Sequence, residues 1–176
     1  FQTHSINVKK VSKEGNFCNV DGLFTSNSSI ICSIKVADCM PVFFIHKTKS
    51  FYGIVHVGWR GLIGGILKNS IILMKVNKVK LEDIQVFVGP SIQKCCFEVG
   101  QDIVGLFNKN FIKNRKNSKY SVDLHGSLKF DLESYGMKSN QIDISSECTF
   151  CNVKKYFSYR RDGAKTGRMY GLIGKI

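Results

Sequence analysis

Between residues 42 and 76 the chain passes through two short β-branched stretches separated by a polar turn, then through a glycine-rich tetrapeptide into a long segment with helical spacing. Val42 to Ile45 and Tyr52 to Val57 have the composition of strands, and His46-Lys47-Thr48-Lys49-Ser50 between them is short enough for a hairpin. After Gly58-Trp59-Arg60-Gly61, apolar residues at Leu62, Ile63, Ile66, Leu67, Ile71, Leu73 and Met74 recur on one helix face, which predicts a helix over 62–76. Strand, glycine turn and helix in this order predict a chain that mixes strands with helices, and α+β is the expected class. The remainder agrees: strands are predicted over 30–36, 84–88, 142–145, 156–159 and 168–173. Helices are predicted over 102–111 and over 124–135, the latter capped by Gly136, with 113–119 a polar loop.

The hairpin makes a chemical statement. With its turn centred between Thr48 and Lys49, His56 lies opposite Pro41, and Cys39 becomes a diagonal neighbour of His56 on the same face of the sheet. Diagonal positions are ~7–8 Å apart at Cα, within reach of one metal ion or of a side-chain hydrogen bond. A one-residue slip would send the two side chains to opposite faces. Asp38, beside Cys39, is a candidate acceptor that would orient a ligand. Arg60, next to the glycine turn where a helix begins, is a candidate fork for an anion.

Composition narrows the setting. A chain of 176 residues with 43% apolar side chains can bury one sizeable core, so a single domain over 1–176 is expected. No apolar run approaches the ~18–20 residues of a membrane span, and the start at Phe1 has neither a basic nor an apolar leader region. Seven cysteines, an odd number with Cys95 and Cys96 adjacent, point to reduced thiols and a cytoplasmic protein. The formal charge of +13 comes mostly from scattered lysines without a nucleic-acid-binding motif, so no specific nucleic-acid partner is expected. Arginine behaves differently, since Arg60, Arg160, Arg161 and Arg168 lie in glycine-rich segments that suit an anionic ligand. Cys148-x-x-Cys151 has zinc-like spacing, but there is no second such pair and Cys95-Cys96 is a poor substitute. A packing role under the Arg160-Arg161 loop is the expectation.

Several blocks resemble a known family, in order along nearly the whole chain: Gln2-Thr3-His4-Ser5, Ala37-Asp38-Cys39-Met40-Pro41-Val42, His56-Val57-Gly58-Trp59-Arg60-Gly61, Val88-Gly89-Pro90-Ser91-Ile92, Cys95-Cys96-Phe97-Glu98-Val99-Gly100, Cys148-Thr149-Phe150-Cys151, and Phe157-Ser158-Tyr159-Arg160-Arg161-Asp162-Gly163 with Thr166-Gly167-Arg168-Met169. This pattern is similar to the bacterial laccase-domain, or polyphenol-oxidase, family, to which purine nucleoside phosphorylase activity is assigned. The resemblance implies a zinc ion held by His4, Cys39 and His56. It also implies a four-layer α/β/β/α sandwich similar to bacterial toxin cysteine deamidases. Family members carry a further N-terminal segment, which this chain is expected to lack.

Three N/S ligands with a fourth position open describe a catalytic zinc, not a closed structural one. The expected reaction is phosphorolysis of adenosine or inosine, and of methylthioadenosine, to free base and ribose 1-phosphate, with adenosine deamination as a second activity. Purine nucleoside and phosphate are the partners, no membrane is involved, and nothing in the sequence sets an oligomeric state. Cys39, His56, Arg60 and Glu98 are the candidate catalytic residues, Glu98 as proton donor to the leaving base. Arg60, Arg160 and Ser158 are the candidate substrate contacts, and Arg161 is read as scaffold. The rival from another class is a metal-free cysteine hydrolase or deamidase, with Cys39 as nucleophile and His56 as base. Copper competes for the same three ligands. A multi-copper oxidase needs many more imidazoles than this chain's four histidines, of which His46 and His125 read as exposed. A basic nucleic-acid-binding module rests on charge alone.

Overall fold

A computed structural model describes residues 2–175. In chain order the elements are β1 (Val8–Val11), β2 (Gly22–Thr25), β3 (Cys32–Val36), β4 (Met40–His46), β5 (Tyr52–Val57), α1 (Trp59–Gly64), α2 (Ile66–Val76), β6 (Ile84–Val88), β7 (Glu98–Val99), α3 (Gln101–Val104), β8 (Ile112–Asn114), β9 (Tyr120–Val122), α4 (Leu124–Ser134), β10 (Ile142–Ile144), α5 (Tyr159–Asp162) and β11 (Met169–Ile173). The main sheet is six-stranded, in the order β1-β2-β5-β4-β6-β10, with β1–β2 and β6–β10 parallel and the other pairs antiparallel. A two-stranded sheet, β3–β11, and a three-stranded sheet, β7-β9-β8, complete the mixed α+β domain.

The main sheet is covered on both faces. Val42, Phe44, Val55 and Val57 pack with Leu62, Ile66 and Leu67 of α1–α2 and Leu128 and Leu132 of α4, whereas Ile54 packs with Ile34 and Val36 of β3. Burial on both sides is why β5 is buried at all six positions and shows no polar alternation. In β3 the alternation survives, with residues 32, 34 and 36 buried and 33 and 35 exposed, because only one of its faces meets the main sheet. The outward face of β3–β11 stays at the surface with Tyr170 and Leu172 exposed.

The β4–β5 hairpin has the register expected from its turn, with Pro41 opposite His56 and Val42 opposite Val55. The helix expected over 62–76 is instead two. Gly65 adopts φ +94° and ends α1 while starting α2, a left-handed conformation that glycine enters without a Cβ clash. The helix expected over 102–111 shrinks to α3 and a single 3₁₀ turn at Lys109–Phe111, where the Asn108 side chain accepts the Asn110 N–H and competes with helix continuation. No strand forms over 156–159; Ser158 there caps α5. His46 and His125 are buried, not exposed. His46 Nδ1 accepts the N–H groups of Thr48 and Lys49, closing the hairpin turn, and His125 Nε2 lies 2.8 Å from Ser91 Oγ. Among the described residues no helix is long and apolar enough to cross a membrane.

Candidate metal centre

His56 stands near the end of β5, flanked on both sides by antiparallel neighbours. On the β4 side is Pro41, with Cys39 just before that strand. On the β2 side the register of Gly22 with Val55 carries on to Asp21, whose carbonyl accepts the His56 N–H at 2.7 Å. The same residue's fully buried carboxylate takes the side chain as well, Oδ1 lying 2.9 Å from His56 Nδ1. A carboxylate only accepts, so Nδ1 carries a proton and donates it to Asp21, which leaves Nε2 as the ring nitrogen a metal ion would take.

Asp21 also builds the third arm. Its carboxylate accepts the backbone N–H groups of Thr3, His4 and Ser5 at 3.2, 3.1 and 2.8 Å and the Ser5 hydroxyl at 2.7 Å. Successive N–H groups converge on one anion because His4 is in the left-handed region, at φ +58°. That turn points the His4 ring at the other two residues, with Nε2 3.6 Å from Cys39 Sγ and its ring centroid 4.7 Å from that of His56. The donor atoms of His4, Cys39 and His56 all lie within 4.8 Å of one another.

The electrostatics follow from the same contacts. Burial pushes the Cys39 thiol up, but the two imidazoles beside it outweigh burial and bring it down to about 7. For His56 burial acts downward, and Asp21 and Cys39 reverse it, raising the imidazole to about 9. Asp21 is held well below the usual carboxylate range: burial opposes ionisation, and hydrogen bonds from His56, Ser5 and Thr3 prevail. Cys39 is thus poised to ionise near neutrality, the form in which sulfur binds metal or attacks carbon.

The donor set suits zinc. Two nitrogens and one sulfur are borderline-soft ligands, and the 3.6 Å between His4 Nε2 and Cys39 Sγ is close to the ~3.5 Å edge of a tetrahedron with bonds of about 2.0–2.3 Å. His4 is exposed, Cys39 half-buried and His56 buried, so the group opens to solvent on the His4 side, where a fourth ligand could enter. A surface groove lined by Lys13, Phe17, Ile31 and Tyr170 among others contains none of the three.

Gly58 lets the arms converge. A Cβ on this residue would lie 2.8 Å from His4 Cδ2 and 2.9 Å from Cys39 Sγ. Gly58→Ala is therefore expected to displace two donors while leaving the core intact. Activity should fall about 10–100-fold, as for an ångström-scale misplacement of reacting groups, with little change in the melting temperature. Unaltered turnover would show that the His4 and Cys39 positions do not matter.

The remaining candidates differ in what they touch. Asp38, expected to orient a ligand, instead accepts from Thr149 Oγ1 at 2.6 Å and from the Arg160 N–H at 2.8 Å, pinning two distant loops beside Cys39. The orienting role belongs to Asp21, which no local pattern marks: it precedes a four-residue strand, and only the β2–β5 pairing reveals its partner. Arg60 is exposed at the start of α1, its guanidinium stacked 4.2 Å over the Trp59 ring. Arg160 donates through NH1 to the carbonyls of Cys96 and Glu98, at 3.3 and 2.8 Å, and lies over Phe97. Arg161 donates to the carbonyls of Thr149, Phe150 and Tyr156, a scaffold role. Ser158 is fully buried and its hydroxyl accepts the Arg161 N–H, so it is a helix cap and not a solvent-facing contact. The Glu98 carboxylate is half-buried, with Lys119 Nζ 3.8 Å away.

Comparison with known proteins identifies relatives over nearly the whole chain. Residues 1–175 match the model of a family described as "multi-copper polyphenol oxidoreductase laccase". A protein of Geobacillus stearothermophilus named purine nucleoside phosphorylase YlmD is 31% identical over 192 residues, spanning 99% of this chain and 70% of the relative. A Clostridium acetobutylicum relative, also named purine nucleoside phosphorylase, is 33% identical over 183 residues, spanning 99% of this chain and 75% of its own length. The crystal structure of the Geobacillus YlmD superposes with a TM-score of 0.91 at 30% identity, covering 99% of this chain and 71% of that one.

Proposed function

The chain belongs to the multi-copper polyphenol oxidoreductase laccase family, and from that premise we propose that it is a zinc-dependent purine nucleoside phosphorylase. The convergence of His4, Cys39 and His56 on a solvent-open point, with Asp21 fixing the His56 tautomer, is the observation that carries the reading. The relatives' shared name supplies the substrate class.

A zinc ion bound by the three residues would supply Lewis acidity toward an oxygen of phosphate or sugar. The protein's own groups do the rest. Arg60 offers a planar fork for phosphate, positioned for attack on the anomeric carbon of the nucleoside. As the C–N glycosidic bond breaks, its electron pair goes to the purine, which takes up a proton; Glu98 is the donor in this scheme. Arg160, anchored to Asp38 through its backbone and to the Glu98 carbonyl through its side chain, holds that loop against the site and presents the rest of its guanidinium to substrate. The reaction yields free base and ribose 1-phosphate. Deamination of adenosine, a second activity at the same centre, would replace phosphate by water and direct it at C6 of the base.

The multi-copper chemistry of the family description is not matched by the ligands. Two of the four histidines, His46 and His125, are buried in other hydrogen bonds, leaving two imidazoles and one thiol at the site. A copper ion could still displace zinc there, since copper(II) binds most N/S sites more tightly.

The test is turnover of inosine and adenosine with and without phosphate, with ribose 1-phosphate as the diagnostic product. Arg60→Ala is expected to raise the KM for phosphate about tenfold or more, as loss of a charge-assisted fork implies, with a smaller effect on the KM for nucleoside. Phosphate-independent release of base, or ammonia as the sole product, would remove the phosphorolysis reading. One observation favours a second reading: a cysteine whose sulfur lies within 4.8 Å of a ring nitrogen of His56, itself held by Asp21, is also the apparatus of a cysteine hydrolase.

A further inference from the structure

A second cluster of ligating side chains lies beyond Asp38, and the reaction proposed above does not use it. Cys95 and Cys96 precede β7, and Cys148 and Cys151 sit in the turns that follow β10. Their sulfurs are separated by 3.4 Å (Cys95–Cys96), 3.8 Å (Cys95–Cys148), 3.9 Å (Cys95–Cys151) and 3.3 Å (Cys96–Cys151), and all four lie within 4.8 Å of one another. We propose that these four cysteines hold a second, structural zinc ion in a closed four-thiolate site.

The distances decide between readings. Four sulfurs around one zinc with bonds of about 2.3 Å are ~3.8 Å apart along each edge of the tetrahedron. An iron–sulfur cluster interposes several atoms between its cysteines and would spread them farther. Packing of neutral thiols, the expectation from sequence, calls for burial, yet Cys95 and Cys151 are exposed and only Cys148 is buried. The vicinal pair is a usable half-site because the chain is curled there: Cys96 and Phe97 both donate their N–H to the Gln93 carbonyl, at 2.9 and 3.0 Å, which turns the two side chains to one side. Cys148 Sγ in turn accepts the backbone N–H of Gln93 at 3.5 Å, a donor of the kind that stabilises a metal-bound thiolate. On binding, each thiol releases its proton to solvent. Four protein ligands leave no position for substrate, so the ion would be structural.

Its place in the fold assigns its work. The ion would tie the 93–98 segment to the 148–151 turn, the two stretches whose carbonyls receive Arg160 and Arg161. Thr149, between two of the cysteines, donates to Asp38 beside Cys39. The second ion would therefore be a clamp that positions the Arg160 loop over the His4/Cys39/His56 centre.

Zinc content and cobalt spectra of protein purified under reduction without chelator provide the test. Cys39→Ala, which lacks the first site, is expected to retain about one zinc per chain. Its cobalt-exchanged form should show the intense visible absorption of a tetrahedral four-thiolate centre, and stripping that metal should lower its melting temperature. Cys148→Ser/Cys151→Ser should lose one equivalent relative to wild type together with the four-thiolate spectrum. If that double variant does not fold, Cys39→Ala and wild type still decide. A metal-free Cys39→Ala protein, native thiols at 95, 96, 148 and 151 that react with a thiol reagent without releasing zinc, or a mass showing disulfides among them would each overturn the proposal. Because the readout is metal and not turnover, it is independent of whether the substrate is a nucleoside.

Discussion

Asp21→Ala is expected to strip the metal from the His4/Cys39/His56 centre and to destabilise the fold by about 3–5 kcal/mol, the range for removing one partner of a buried ion pair. The carboxylate is fully buried, and its loss strands His56 Nδ1, whose side chain is 5% exposed, together with three backbone N–H groups at residues 3–5. The effect on function should exceed the 10–100-fold typical of a residue that only orients a ligand, because His4 loses the turn that presents it while His56 loses its tautomer. Asp21→Asn, which keeps an acceptor oxygen but no charge, should fall between the two. Denaturant unfolding, metal analysis and inosine turnover measured on the same preparations give the answer. An alanine variant with wild-type stability and full metal content would refute the role assigned to Asp21.

Cys39→Ala separates stability from chemistry. The side chain is half-buried at the mouth of the site and outside both apolar clusters, so unfolding should change by no more than about 1 kcal/mol. Turnover should drop by more than about 100-fold, since a ligand itself is removed and not merely its support. The same loss is expected of a cysteine hydrolase, so the discriminating measurement is made on the wild type. In the metal reading a chelator abolishes activity and added zinc restores it. In the hydrolase reading chelation leaves the rate unchanged, while one equivalent of a thiol reagent at Cys39 ends turnover.

The residues show why some of this was readable and some not. Cys39 and His56 were brought together by hairpin arithmetic alone, because a short turn sets the register and a period of two sets the face. The β5 and β6 strands have the boundaries their apolar runs predicted, and Gly136 caps α4 at φ +105° as its position after the helix implied. The errors have a common origin. The amphipathic period over 102–111 was outcompeted by the Asn108 side chain, and the aromatic run at 156–159 became a capped turn once Arg161 gathered the carbonyls of Thr149, Phe150 and Tyr156. His46 and His125 looked polar enough for the surface, but each found a partner in the interior, His46 Nδ1 in the turn N–H groups and His125 Nε2 in Ser91, and such a partner offsets part of the cost of burial.

By itself the sequence determined the mixed α+β class, the β4–β5 register and the pairing of Cys39 with His56, since each depends on neighbours within one hairpin or one helix. His4 entered that site only by resemblance. Tertiary structure alone decided that Asp21 holds both histidine arms, that Asp38 is an anchor for the 149–160 loops, and that Cys95 and Cys96 meet Cys148 and Cys151. Those contacts join residues tens of positions apart along the chain. Such a pairing leaves no periodic trace in the sequence, because it is made by how sheets and loops pack after the local elements have formed.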